Sequence, residues 1–174
     1  MVPLHANKGF FLNGKPYKLR GICRHQDQKP IGVALTDEIH RRDMKMMKEM
    51  GANFIRVSHY PQDDALLEMC DKLGMLAWEE IPIIDIVPET PGYGDNCERN
   101  LREMIRQHYN HPSIIAWGYM NEILLVTQRK YKNRNRTEAR YRACIVTCQK
   151  TGESTQSGRF YTRQCHGIPW QQQL

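Results

Sequence analysis

The sequence contains no long uninterrupted apolar run and no recognisable export signal. None of its stretches approaches the roughly 18 consecutive apolar residues that a membrane-spanning helix needs, and residues 1–20 lack an apolar stretch ahead of a small-residue cleavage site. At 174 residues, the chain is also shorter than the roughly 200–250 residues of a complete α/β barrel. We therefore expect a single domain outside the membrane, and no targeting signal assigns it to a compartment.

Regularly spaced cysteines and glycine-rich phosphate motifs are also missing. The six cysteines show no short framework spacing, which is typical of reduced thiols in a cytosol-like compartment. Cys144 and Cys148 lie about one helical turn apart and precede Cys165-His166, so a zinc site is the alternative, although neither pair has the usual two-residue spacing. No Walker or dinucleotide glycine motif is present, which argues against a phosphate ligand.

The positive charge of the chain is confined to its C-terminal part. The formal net charge is +6, but residues 126–174 hold ten Lys and Arg against two Glu, whereas residues 1–125 hold fifteen against seventeen acidic residues. The first 125 residues therefore lack the excess of basic residues that nucleic-acid binding requires. The basic segment is typical of a solvated, poorly folded stretch, and nucleic-acid binding through it is the alternative.

Strand and helix signals alternate along the chain. Asn13-Gly14 between two apolar runs predicts a β-hairpin, and we expect its second arm to continue through residues 17–22. A helix is predicted from Thr36, with Gly51 as its C-cap. Its predicted apolar stripe consists of Ile39, Met46, Met47 and Met50.

The rest of the chain continues this alternation. Strands are predicted at residues 53–57, 75–78, 113–117 and 159–164, and helices at residues 63–73, 96–110 and 138–150. Strands that are separated by helices indicate right-handed βαβ units and a parallel sheet.

Polar side chains follow each predicted strand of this sheet. These are Arg24, His25 and Asp27; Arg56, Ser58 and His59; Glu79 and Glu80; Asn121 and Glu122; and His166. In parallel α/β folds, ligands bind at the carboxyl ends of the strands, so we expect these side chains to converge. A surface rich in imidazole, amide and carboxylate groups favours an uncharged, polyhydroxylated ligand.

Five stretches follow one another in a characteristic order. They are residues 11–15 (FLNGK), 20–25 (RGICRH), 47–53 (MK through GAN), 56–61 (RVSHYP) and 111–122 (HPS through W to NE). Together they resemble the TIM-barrel domain of family 2 glycoside hydrolases, which includes β-galactosidases and β-glucuronidases. The resemblance implies an α/β fold, a partial (β/α)8 TIM barrel of about strands 1–5 preceded by a short β-hairpin. It places the front half of the catalytic barrel in residues 1–125 and a weakly matching basic continuation in residues 126–174.

The resemblance also implies a set of active-site residues. They are Glu122 as the general acid/base and His25, His59 and Asn121 as contacts of sugar hydroxyls. Arg56 and Glu80 are implied as supporting residues, Arg56 at a second carboxylate and Glu80 at the rim of the site. A retaining glycosidase needs one carboxyl group that protonates the leaving oxygen, and an adjacent amide can bind the 2-hydroxyl of the sugar. Five other side chains are predicted to be structural: His40, His108, His111, Trp78 and Trp117.

The second catalytic glutamate of the family has no match in this sequence. In the family it lies on a later strand, ahead of an aromatic residue and Gly, and neither Glu138 nor Glu153 has that context. Cys23 also stands where the family usually has Asn. We therefore expect a fragment of a retaining β-glycosidase, β-galactosidase-like, that carries the acid/base but not the nucleophile and has negligible activity by itself.

Two other functions stay open. A metal-dependent hydrolase could use His25, His59, Glu80 and Glu122, but the chain has no tight metal-ligand spacing. A non-catalytic relic could bind nucleic acid through its basic tail, with a strong salt dependence.

We expect a β-linked carbohydrate as the partner, no nucleic acid or membrane, no cofactor and no assigned metal, although a divalent cation sometimes lies near the acid/base in the family. An unpaired edge of an incomplete barrel also predicts self-association.

Overall fold

The computed structural model describes residues 4–5, 9–88, 90–123 and 160–161. In chain order its elements are β1 (Leu4–His5), β2 (Gly9–Leu12), β3 (Lys15–Pro16), β4 (Gly21–Arg24), α1 (Asp37–Glu49), β5 (Phe54–Val57), α2 (Asp64–Leu73), β6 (Leu76–Glu80), α3 (Tyr93–His108), β7 (Ile114–Gly118) and β8 (Phe160–Tyr161). The predicted alternation of strands and helices is therefore confirmed from β4 to β7.

The strands form two sheets. Strands β1, β2 and β3 are antiparallel neighbours, whereas β4, β5, β6, β7 and β8 form a parallel sheet in that order. One helix connects each pair of neighbouring strands from β4 to β7, so the carboxyl ends of these strands lie along one edge. Within the described strands the parallel sheet is open, because β4 and β8 each have one neighbour. This is the predicted arrangement of an incomplete (β/α)8 barrel preceded by a hairpin.

Helix α2 shows how the helices are attached to the sheet. It begins at the cap residue Asp63, whose carboxylate accepts a hydrogen bond from Ala65 N at 2.8 Å, and it ends at Gly74, which has a φ of 62°. Its fully buried side chains include Leu66 and Leu67, which belong to one continuous apolar core beneath the sheet. Burial of this face holds the helix against the strands.

The second arm of the hairpin is shorter than predicted. Strand β3 ends at Pro16, and the first strand of the parallel sheet begins only at Gly21. Between them, the Asn53 side chain accepts a hydrogen bond from Arg20 N at 2.7 Å and donates one to Lys18 O at 2.9 Å. Because these backbone groups bind the Asn53 side chain, this connection does not continue the hairpin ladder.

The apolar stripe that was predicted for α1 is wrong at two of its four residues. Met46 and Met50 are 52% and 77% exposed, whereas His40 and Met44 are fully buried and Met47 is partly buried. His40, Met44 and Met47 follow the i, i+4, i+7 spacing of one helix face. The predicted stripe left out His40 and Met44, and the burial of His40 agrees with the structural role that was predicted for it separately.

Strand β6 continues two residues further than predicted. It includes Glu79 and Glu80, so successive side chains point to opposite faces of the sheet.

Phe160–Tyr161 pairs in parallel with β7, as expected for a strand within residues 159–164. The helix predicted at residues 138–150 lies outside the described residues. No helix in the described part of the chain is both long enough and apolar enough to cross a membrane.

Candidate active site

The carboxyl ends of four parallel strands carry the predicted site residues. His25 follows β4, Arg56 lies in β5 and His59 follows it, Glu80 ends β6, and Asn121 and Glu122 follow β7. Because these strands are parallel neighbours, all six residues belong to the same edge of the sheet.

Glu80 is the centre of a hydrogen-bond network at this edge. Its side chain is fully buried. The Arg56 guanidinium donates to it from Nε at 3.2 Å and from Nη2 at 3.1 Å, and His59 Nδ1 lies 2.5 Å from Oε1. A carboxylate without solvent needs such charge-assisted partners. The rim position predicted for Glu80 is therefore wrong, because this carboxylate lies beneath the surface.

Arg56 connects Glu80 to the residue that precedes the predicted acid/base. Its Nη2 donates to Asn121 Oδ1 at 2.9 Å, and its guanidinium lies 4.8 Å from the centre of the Trp78 ring. The cation–π contact is a further attraction that holds the guanidinium beside Trp78. Trp78, which was predicted as a core residue, therefore belongs to the site, whereas Trp117 is fully buried as predicted.

The backbone of Asn121 is also held in place. Its N–H donates to Ile83 O at 2.7 Å, and its carbonyl accepts from Asp85 N at 3.0 Å. These two bonds extend the pairing of the sheet beyond the end of β7. Both the backbone and the side chain of Asn121 are thus fixed by neighbouring elements.

His25 joins this network through ring packing. Its imidazole lies 5.1 Å from that of His59 in an edge-to-face arrangement and 6.0 Å from the Tyr60 ring. The Tyr60 hydroxyl accepts a hydrogen bond from Gln26 N at 3.0 Å, which ties the segment after β4 to the segment after β5.

Glu122 lies directly after this network and is exposed. Its φ is 51°, in the left-handed region that residues other than Gly rarely adopt. No residue in the described part of the chain is hydrogen-bonded to its side chain. The structure therefore brings together His25, His59, Glu80, Arg56 and Asn121, and it leaves the Glu122 carboxylate outside their contacts.

Comparison with known proteins identifies the family. The sequence profile described as "Glycosyl hydrolases family 2, TIM barrel domain" matches residues 4–139. The chain belongs to glycosyl hydrolase family 2. The TIM-barrel fold class and the resemblance inferred from the sequence are thereby confirmed.

Several relatives of this family 2 chain are β-glucuronidases or β-galactosidases. It is 45% identical to a β-glucuronidase of Bacteroides fragilis over 128 residues, which are 67% of this chain and 18% of the relative. It is 41% identical to a β-galactosidase of Thermoanaerobacterium thermosulfurigenes over 129 residues, which are 74% of this chain and 18% of the relative. The crystal structure of Bacteroides uniformis β-glucuronidase matches with a TM-score of 0.87 and 74% identity, covering 92% of this chain and 19% of that one. The chain thus spans about a fifth of the length of these relatives.

Gly118 has no side chain, and this leaves room for the Trp78 and Glu80 side chains of the family 2 site. A Cβ atom at this position would lie 2.2 Å from Trp78 Nε1 and 2.6 Å from the Cβ of Glu80. Any larger residue would therefore displace the two side chains that support Arg56. Sequence reasoning missed Gly118, although a glycine inside a buried strand is a known signal of close approach.

A second buried network lies on the opposite face of β6. His108 Nδ1 lies 2.8 Å from both carboxylate oxygens of Glu79, and His108 Nε2 lies 3.1 Å from an oxygen of Asp64. His111 Nδ1 lies 2.7 Å from Asp71. The structural role predicted for His108 and His111 agrees with these contacts, which join the helices to the sheet. Glu79, which was grouped with the site residues, belongs to this network instead.

The two groups of the buried pair affect each other's protonation. Burial raises the pKa of Glu79, and the hydrogen bond from His108 opposes this only in part. For His108, burial lowers the pKa, but the hydrogen bond and charge of Glu79, with the charge of Asp64, outweigh it, so the pKa lies above its ordinary value. The pair therefore keeps its protons to higher pH than two free groups.

Two further strand-end residues are also structural. Arg24 is buried, and its guanidinium donates to Gln62 Oε1 at 2.8 Å and to Asp43 Oδ2 at 2.8 Å. Ser58 is fully buried and donates from its hydroxyl to Arg56 O at 3.3 Å. Neither side chain is part of the network around Glu80, which corrects their grouping with the site residues.

A metal-dependent hydrolase that uses His25, His59, Glu80 and Glu122 was one of the alternative functions. Within residues 4–5, 9–88, 90–123 and 160–161, no group of three or more His, Cys, Asp or Glu side chains is arranged to hold a metal ion. Cys23 is exposed, whereas Cys70 and Cys97 are buried. The other three cysteines, with the zinc site suggested for them, lie outside the described residues.

Proposed function

We propose that this chain supplies the acid/base half of the active site of a retaining β-glycosidase, with Glu122 as the general acid/base. The observation that carries the proposal is the network from His59 through Glu80 and Arg56 to Asn121. It fixes the residue before Glu122 at the ligand-binding edge of a family 2 barrel. Glu122 itself is exposed at that edge, where a substrate can reach its carboxyl group.

The other residues of the network then bind the sugar. We assign His25, His59 and Asn121 to its hydroxyls, and Arg56 to the support of the second carboxylate. In the retaining reaction, the protonated Glu122 donates its proton to the glycosidic oxygen as the nucleophile forms a bond to the anomeric carbon. The ionised Glu122 then takes a proton from the water that releases the glycosyl-enzyme.

The nucleophile is not assigned to any residue of this chain. Glu138 and Glu153 have the wrong sequence context and lie outside the described residues. General acid assistance alone contributes about 10²–10⁴-fold, whereas enzymes typically accelerate reactions by roughly 10⁶-fold or more. We therefore propose that the isolated chain has negligible glycosidase activity.

A β-glucuronide is the substrate we propose for the complete site. The chain is 74% identical to the β-glucuronidase of B. uniformis over 92% of its length, and 41% identical to the β-galactosidase of T. thermosulfurigenes over 74% of it. A β-galactoside is the second candidate, because both activities occur among the relatives.

A chimeric enzyme tests this function. The matching segment of the B. uniformis β-glucuronidase is replaced by this chain, and hydrolysis of nitrophenyl β-glucuronide and β-galactoside is measured. We expect activity on the glucuronide that Glu122→Gln lowers by about 10²–10⁴-fold. Glu103→Gln is the matched control, because Glu103 is an exposed carboxylate on α3.

Full activity of the folded Glu122→Gln chimera would refute the assignment of Glu122. Preference for the galactoside would refute the proposed substrate only. Activity of the chimera that is lost on chelation and restored by a divalent cation would favour the metal-dependent alternative.

A further inference from the structure

Glu80 is a buried carboxylate whose contacts are with side chains of the candidate site. It is fully buried, it binds two side chains that face the candidate site, and it reaches a third through Arg56. These contacts act on the hydrogen-bonding atoms that His59 and Asn121 present to a ligand.

The contact with Glu80 determines which nitrogen of His59 carries the proton. A carboxylate can only accept hydrogen bonds, so the His59 Nδ1 that faces Glu80 Oε1 must be the protonated nitrogen. In the neutral ring, Nε2 is then left without a proton. His59 therefore presents a hydrogen-bond acceptor at Nε2.

The contact with Arg56 determines the orientation of the Asn121 amide. A guanidinium can only donate, so the amide must direct Oδ1 toward Arg56 Nη2, which lies 2.9 Å away. The NH₂ group of Asn121 is then the part that remains for a ligand. Asn121 therefore presents a hydrogen-bond donor.

Arg56 is in turn held by Glu80. Nε and Nη2 of Arg56 both donate to the Glu80 carboxylate, and Trp78 covers the face of the guanidinium. This two-point contact fixes the plane of the guanidinium, and hence the direction of the hydrogen bond to Asn121.

We infer that Glu80 is a positioning residue that sets the donor and acceptor pattern of the sugar-binding face. Through His59 it provides an acceptor, and through Arg56 and Asn121 it provides a donor. A sugar hydroxyl both donates and accepts, so it satisfies either partner, whereas an ether oxygen cannot donate to His59. This inference rests on the proposed function for the identity of the ligand, but the pattern itself exists without one.

The tautomer of His59 tests the inference directly. The chain is labelled with ¹⁵N at its histidines, and long-range ¹H–¹⁵N spectra are recorded without sugar at alkaline pH. We expect wild-type His59 to carry its proton on Nδ1. In Glu80→Gln, a neutral hydrogen bond replaces a charge-assisted one, so the ratio of Nδ1–H to Nε2–H forms should fall about tenfold.

Two variants separate positioning from folding. Glu79→Gln removes the neighbouring buried carboxylate, which contacts His108 on the other face, so it should change the spectrum of His108 and leave that of His59 unchanged. Glu80→Asp keeps the carboxylate and should restore part of the Nδ1–H preference.

An Nε2–H form of His59 in the wild type, or an unchanged ratio in folded Glu80→Gln, would overturn the inference. If Glu80→Gln does not fold, the wild-type tautomer decides. Neither result depends on glycosidase activity, so the proposed function can fail separately.

Discussion

At the scale of single residues, Glu79 and Glu80 show how one strand serves both stability and function. They are consecutive and both fully buried, yet Glu79 binds a histidine of α3 and Glu80 binds groups of the candidate site. The alternation of side chains in β6 produces this separation. The two glutamates are visible in the sequence, but they point to opposite faces of the sheet only if both belong to β6. The predicted strand ended before them, so it did not assign either side chain to a face.

The buried histidines predict how the stability of the chain depends on pH. The pKa of His108 is raised above its unfolded value of 6.5, so its stabilising contribution is complete below pH 6.5 and is lost as pH rises through the folded pKa. The free energy of unfolding, measured with urea at a series of pH values, should therefore fall on the alkaline side. His108→Gln should cost about 3–5 kcal/mol at neutral pH, because it leaves Glu79 buried without its charged partner. Because the raised pKa of Glu79 also makes stability fall as pH rises, the slope should disappear only in the double variant His108→Gln/Glu79→Gln.

His40 provides the matched control with the opposite sign. It is fully buried, neither ring nitrogen has a hydrogen-bond partner among the described residues, and burial with the nearby charge of Arg24 lowers its pKa. Its penalty therefore appears as pH falls below the unfolded value of 6.5. His40→Leu should flatten the acid side only. An alkaline slope that persists in the double variant His108→Gln/Glu79→Gln would contradict the role of this pair.

The three described cysteines should differ in reactivity. Cys23 is exposed, whereas burial raises the pKa of Cys70 to about 12, with further contributions from Asp71 and Glu79, and Cys97 is also buried. Because the thiolate is the nucleophile, iodoacetamide should alkylate Cys23 first. Peptide mass spectrometry of a time course measures this, and equal rates at Cys23 and Cys70 in the native chain would be the contrary result.

At the scale of elements, the sequence predicted the features that depend on local sequence patterns. The Asn13-Gly14 turn, the Asp63 and Gly74 ends of α2 and the order of strands and helices all depend on neighbours in the chain. The buried face of α1 does not depend on chain neighbours, because packing against α2 determines it. The buried His40 lies on this face, although its low hydrophobicity predicts an exposed position. The end of the hairpin likewise depends on Asn53, which is distant in sequence.

Two glycines provide a prediction at this scale. Gly118→Ala should destabilise the chain by about 1–3 kcal/mol, because its Cβ would overlap Trp78 and Glu80. Gly94→Ala, at the second residue of α3, meets nothing within 4 Å and should change the free energy of unfolding by less than about 0.5 kcal/mol. Urea unfolding of both variants measures the difference. A neutral effect of Gly118→Ala would show that β7 can move away from β6.

For the site, motif spacing placed His25, His59, Arg56 and Asn121 correctly at one edge. It could not show that Glu80 is the buried centre, since that depends on how three strands align across the sheet. Gly118 and Trp78 were missed for the same reason, because their importance comes from contacts between strands.

At the scale of the whole molecule, the parallel sheet is open at β4 among the described strands. An unpaired strand edge favours pairing with another chain, so self-association of the isolated chain stays a prediction that light scattering against concentration can measure. The division at residue 125 and the poor folding expected of residues 126–174 also stay predictions, since most of that segment lies outside the described residues.

The role of Glu122 is tested most directly by azide rescue in the chimeric enzyme. In Glu122→Ala, a nitrophenyl glucuronide with a good leaving group can still form the glycosyl-enzyme, and azide can attack it without general base assistance. If Glu122 is the acid/base, azide should raise turnover and the product should be the β-glucuronosyl azide, formed with net retention. An α-azide would identify Glu122 as the nucleophile instead, and the absence of any azide product would contradict a catalytic role.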